Sequence, residues 1–91
     1  MKHAGTDALD KLEPLLKKIR RRQGLKEKSR GTFYRGGRAF LHFHEHGDEC
    51  FADMRVGDDF ERFSATRPAE RETLLARVDA LLADGSRSRP R

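Results

Sequence analysis

Two dipeptides, Gly36-Gly37 and Gly47-Asp48, bracket the run from Arg38 to His46 and constrain this chain more than any other feature. A two-residue hairpin loop needs positive φ at its central positions, which glycine adopts without steric cost, so each dipeptide predicts an antiparallel hairpin. Such short loops also set which residues face one another. Across Gly47-Asp48, His46 falls opposite Glu49, His44 opposite Phe51, His42 opposite Asp53 and Phe40 opposite Arg55. The expected core is a three-stranded meander, and Gly57-Asp58-Asp59 leads into Phe60-Glu61-Arg62-Phe63 as a short fourth strand.

Strand side chains alternate between two faces. One face is expected to carry Tyr34, Ala39, Leu41, Phe43, Cys50, Ala52, Met54 and Val56, apolar enough to take helices. The other is expected to carry His42, His44 and Asp53 among Phe33, Phe40 and Phe51. Nothing else in the chain is long enough to cover that second face.

Helical periodicity flanks the strands. Leu9, Leu12, Leu15, Leu16 and Ile19 make an apolar stripe on a helix over residues 8–23, ended by Gly24 and interrupted by Pro14, with Asp7 and Asp10 at N-cap spacing. Leu74, Leu75, Val78, Leu81 and Leu82 mark a second helix that starts at Pro68 and stops before Gly85. The expected fold class is α+β, a three- or four-stranded antiparallel meander with N- and C-terminal helices packed on one face. Residues 1–7 read as a tail, 8–84 as a single domain and 85–91 as a disordered basic tail.

At 91 residues with 38% charged and 35% apolar residues, the chain has room for one core and no deep cavity, so shallow sites are expected. No apolar run reaches the ~18 residues of a membrane span. A cytoplasmic setting of bacterial type and no membrane partner are the resulting expectations. The lone Cys50 excludes an internal disulfide and a cysteine-rich zinc site, and reads as a small core residue.

Charge is unevenly spread. Residues 1–38 hold 12 Lys/Arg against 4 acids, whereas residues 39–84 hold 5 against 11. Lys17, Lys18, Arg21, Arg22, Lys26, Lys28, Arg35 and Arg38 are therefore candidate phosphate contacts, with Phe33 and Tyr34 interleaved as stacking partners. Cations in the last turn of a helix also suit its dipole, which is the plain structural account of Arg20-Arg21-Arg22.

The histidine face admits three chemistries. His42, His44 and Asp53 could supply two imidazoles and a carboxylate to a metal ion. A His42/Asp53 dyad could do acid–base work, although no nucleophile or oxyanion site accompanies it. A cross-strand His42–Asp53 hydrogen bond could simply satisfy two polar groups. The Phe40/His42/Phe51 patch is also a candidate contact surface for a protein partner.

A helix, Gly24-Leu25-Lys26-Glu27-Lys28, an aromatic strand, Gly36-Gly37-Arg38-Ala39-Phe40, a strand ending in Ala52-Asp53-Met54-Arg55 and a leucine-rich helix follow one another over residues 8–84. That succession resembles the small bacterial MmcQ/YjbR-type proteins. The resemblance implies a compact α+β fold and a DNA-binding role, with no catalytic residues to carry over. The function expected is a non-enzymatic nucleic-acid-binding or regulatory domain without a cofactor; the alternative is a ligand- or metal-binding module working through His42, His44 and Asp53.

Overall fold

The computed structural model describes residues 1–87, with side chains through residue 83. Its elements are β1 (Lys2–His3), α1 (Thr6–Arg20), β2 (Lys26–Ser29), β3 (Thr32–Arg35), β4 (Arg38–His46), β5 (Glu49–Val56), β6 (Asp59–Ser64) and α2 (Pro68–Arg87). The sheet is antiparallel in the order β2-β3-β4-β5-β6, and β1 pairs with β4 beyond the end of β3. The α+β fold is as expected, with a longer sheet.

The hairpin register around Gly47 holds: His42 pairs with Asp53, His44 with Phe51 and His46 with Glu49. The hairpin around Gly36-Gly37 does not run straight. Both glycines have positive φ, 57° and 86°, as a tight turn between strands demands. Beyond Tyr34↔Ala39, however, the next pair is Phe33↔Leu41, which leaves Phe40 as an extra, bulged residue. A one-residue slip exchanges the two faces of everything on the turn side of it.

Three expectations change as a result. Phe33 and Phe40, expected on the histidine face, are buried in the core at 1% and 3% exposure. Arg35 lies on the helix side, where its guanidinium donates to the carbonyls of Leu81 and Leu82 in α2. Tyr34, adjacent to Phe33 on the strand, therefore belongs to the open face.

The core forms where both helices meet the sheet. Leu12, Leu15, Leu16 and Ile19 of α1 and Leu74, Leu75 and Val78 of α2 close over Leu41, Phe43, Ala52 and Met54. The capping of α2 uses Glu70, which reaches back to accept from the Arg67 N–H at 3.0 Å and the Thr66 N–H at 2.9 Å, the carboxylate half of a capping box. Thr66 in turn bridges to β5: its Oγ1 accepts from the Cys50 N–H and donates to the Cys50 carbonyl.

At the other end, residues 1–7 do not form a free tail. The Ala4 N–H donates to the Phe43 carbonyl at 3.1 Å and the Gly5 N–H donates to Glu45 Oε2 at 2.7 Å, so the chain enters α1 from the edge of β4. The N-cap is accordingly Gly5 rather than Asp7, and α1 ends at Arg20 rather than residue 23. Residues 26–29, outside the expected meander, form β2, and residues 85–87 complete α2; the rest of the expected basic tail lies outside the described residues.

Gly31 shows how tightly α1 sits on the sheet. Its φ is +82°, and an added Cβ would lie 2.7 Å from Leu9 Cδ2. The positive φ is what requires glycine there, since the end of the Leu9 side chain can shift aside.

The bulge gives a direct test. Phe33→Ala is expected to lower unfolding free energy by about 3–5 kcal/mol in a denaturant titration, as for a buried aromatic. Phe60→Ala, at a side chain 40% exposed on the open face, should cost about 1 kcal/mol or less. Equal costs would contradict the bulged register.

Candidate functional site

Sequence reasoning assembled two candidate sites, and the structure rearranges both. The basic block is thinned by its own neighbours. Arg22 makes a two-pronged pair with Asp79, Nε to Oδ1 at 2.9 Å and NH2 to Oδ2 at 3.1 Å, and donates to the Lys18 carbonyl. Lys18 lies 3.6 Å from Glu72. Arg35 is turned to α2, and Phe33 is in the core, so neither faces a ligand on the open side. Arg20 binds Glu27 and Glu13, while Arg30 binds Glu13 and Asp10.

Those arginine pairs consume three of the four acids of the basic half, Asp10, Glu13 and Glu27, and leave Asp7 in the first turn of α1. Lys17, Arg21, Lys26, Lys28 and Arg38 make no ion pair among the described residues. Two of them surround Tyr34. Lys26 is its pairing partner across β2 and β3, and Lys28 Nζ stands 4.5 Å over its ring. Gly24, Leu25, Lys26, Lys28, Tyr34, Gly36 and Gly37 line an open depression of about 440 Å³. Arg38 follows Gly37 directly, and Arg21 precedes Gly24 by one helical turn's length of chain.

On the histidine face, the expected His42–Asp53 hydrogen bond does not form. Asp53 is 8% exposed and is gripped by Arg62 of β6, Nε to Oδ1 at 2.7 Å and NH2 to Oδ2 at 2.8 Å. Arg62 sits directly opposite Asp53 in the β5/β6 ladder. Its hydrogen bonds hold the Asp53 carboxyl below the ordinary carboxylate range despite the opposing effect of burial. The histidine nearest Asp53 is His44, with Nε2 3.0 Å from Oδ2 but out of line for a hydrogen bond.

A carboxylate so occupied is a poor partner for His42 in acid–base work. Burial lowers the His42 pKa, which favours the neutral ring. Three ring nitrogens, His42 Nδ1 and both nitrogens of His44, are buried without a hydrogen-bond partner. Each buried polar atom left unpaired costs about 1–3 kcal/mol.

A residue absent from the sequence-derived site completes this face. His3 of β1 pairs with His44 of β4, so their rings share a face and stack with centroids 4.7 Å apart. His42 lies 5.0 Å from His44 and 5.9 Å from His3, with Phe60 edge-on to His42 at 5.0 Å. Phe60 thus stands where Phe40 was expected in the exposed patch, and Arg55 covers Phe60 at 4.6 Å. Cys50 is buried, and burial pushes its thiol pKa up, which leaves it an inert core residue.

Arg62 was within reach of the sequence: Gly57-Asp58 is a third two-residue turn, and counting back from it places residue 62 opposite 53. No comparable signal pointed to His3. No family model, no curated protein and no solved structure matches this chain. Among the described residues, no helix is long and apolar enough to cross a membrane.

The acid network that thins the basic block has a pH signature. Hydrogen bonds from Arg20 and then Arg30 lower the Glu13 pKa from 4.5 to about 2. Because the folded value is the lower one, this stabilisation is complete above the unfolded pKa and is lost as pH falls from 4.5 toward 2. Thermal melts across that window should show a smaller acid-induced fall in Tm for Glu13→Gln than for the parent chain.

Proposed function

We propose that this chain is a non-enzymatic nucleic-acid-binding domain that holds a phosphate backbone along β2 and the Gly36-Gly37 turn, with Tyr34 as the stacking surface. The observation that carries the reading is the set of acid-free cations: Lys26 and Lys28 lie around a half-buried aromatic ring in an open depression, while neighbouring arginines absorb the acids. Arg21 and Arg38 flank the depression in the sequence, and Lys17 lies one helical turn before Arg21. Cations beside an aromatic platform are the chemistry that single strands and backbone phosphates call for.

The reading is narrower than the one drawn from the sequence. Arg22, Arg35, Lys18 and Phe33 drop out of the contact set because each is already engaged or buried. Tyr34 stays, and does so on the open face.

Counterion release supplies the test. Five phosphate contacts imply a slope of log affinity against log salt of about −4.5 on duplex DNA, from roughly 0.9 per contact. Changing Lys26 and Lys28 to Gln should reduce the slope by about 1.8, and changing Tyr34 to Leu should weaken single strands by about 1–3 kcal/mol. Arg22→Gln should leave the slope where it was. An absence of binding to duplex and single strand at roughly 50 mM salt, where non-specific contacts are strong, would falsify the proposal.

A further inference from the structure

The three rings of His3, His42 and His44 bring their nitrogens together with nothing to bind. One ligand atom from each lies within 4.8 Å of the other two. The cluster is assembled by pairing on both sides of β4. His42 and His44 are two residues apart on one strand and point to one face, and the β1 ladder sets His3 beside His44. Two histidines so spaced on a flat strand diverge; the third, arriving from the neighbouring strand, closes the triangle. Glu45 and the Phe43 carbonyl pin the chain immediately after His3, through the N–H groups of Gly5 and Ala4.

We propose that His3, His42 and His44 form a binding site for one divalent first-row transition-metal ion, Zn²⁺ foremost, held by three imidazoles with the remaining coordination position open. The inference is independent of the nucleic-acid reading and uses none of its residues. It also departs from the expectation of no cofactor and from the sequence-derived ligand set, because His3 takes the place of Asp53.

The donor set selects the ion. Three imidazoles without thiolate suit zinc, copper or nickel, whereas calcium and magnesium demand oxygen. A zinc ion needs each nitrogen at about 2.0–2.1 Å, which sets the nitrogens ~3.3 Å apart. From separations within 4.8 Å, the rings therefore close by at most about 1.5 Å on loading. They are free to do so, since no hydrogen bond holds His42 Nδ1 or either nitrogen of His44.

Asp53 fits beside the ion better than on it. Both of its oxygens already accept from Arg62, and Oδ2 lies 3.0 Å from His44 Nε2. A small ring rotation converts that contact into an Nε2–H···Oδ2 hydrogen bond, which leaves Nδ1 of His44 for the metal. Outer carboxylates orient metal-bound histidines in this way. Arg62 would repel an approaching cation were its charge not matched by Asp53.

The fourth histidine is the built-in control. His46 continues the row on β4 but is exposed and outside the cluster. Isothermal titration of the full chain with Zn²⁺ should give one ion per chain. His3→Ala, His42→Ala and His44→Ala should each weaken binding at least about tenfold, the lower end of what removal of even an outer partner produces. His46→Ala should leave binding unchanged. Side-chain ¹H–¹⁵N spectra of the unsubstituted protein give a readout that no loss of folding can mimic: the rings of His3, His42 and His44 should shift together on Zn²⁺ addition while His46 stays in place. Wild-type affinity in His3→Ala, a shift confined to His42 and His44, or no Zn²⁺ binding above that of the triple alanine variant would each overturn the site.

Discussion

One unpaired residue, Phe40, decides which way the turn end of the first hairpin faces. Strand side chains alternate with a period of two, so a single extra residue inverts every position beyond it. Because Phe40 bulges out of the β3/β4 ladder, Phe33 pairs with Leu41 and both aromatic rings enter the core. Arg35 is thereby carried to the carbonyls of α2, and Tyr34 to the opposite side. Without the bulge, Phe33 would sit in water and the tyrosine would compete with α2 for the helix face. Burying two phenylalanines instead of one tyrosine is the more favourable outcome, since each fully buried apolar side chain contributes about 1.5–3 kcal/mol.

Beyond the bulge, β4 works as a partition. Leu41 and Phe43 face the helices, while His42 and His44 face away, and the strand is paired along both edges by β3 with β1 on one side and β5 on the other. Its two helices cover one sheet face, and among the described residues no element covers the other. The uncovered face has to tolerate water, which excludes an aliphatic surface and admits amphipathic rings and paired charges. Histidine, Phe60 under Arg55, and Asp53 clasped by Arg62 meet that condition.

Some of this is legible in the sequence and some is not, for identifiable reasons. Two-residue turns transmit register by counting, so His42↔Asp53 and His44↔Phe51 could be written from Gly47-Asp48 alone. A bulge leaves no such mark, because Phe40 is as acceptable at a paired position as at an unpaired one. β2 escaped because an edge strand need not alternate apolar and polar residues: Glu27 is held by the Arg20 side chain and the Gly31 N–H, partners that leave no strand periodicity in the sequence. His3 escaped because two strand residues carry no periodicity, and its place depends on tertiary hydrogen bonds from Ala4 and Gly5.

Charge tells a similar story at longer range. The block from Lys17 to Arg38 looks uniformly basic when read along the chain, yet folding sorts it into two populations. Four of its six arginines find carboxylates or carbonyls, as their planar, multiply donating heads favour: Arg20, Arg22 and Arg30 bind acids, and Arg35 binds helix carbonyls, whereas Arg21 and Arg38 make no ion pair among the described residues. The lysines, point charges that hydrate well, are mostly left exposed, with Lys28 over Tyr34 and Lys26 beside it. The residual field is therefore set by what the arginines leave over, and it is concentrated near β2, at the opposite edge of the sheet from β6, whose Arg62 neutralises Asp53 next to the histidines. The two proposed sites thus occupy different parts of one open sheet: lysines around an aromatic ring in the first, and imidazoles beside a matched ion pair in the second.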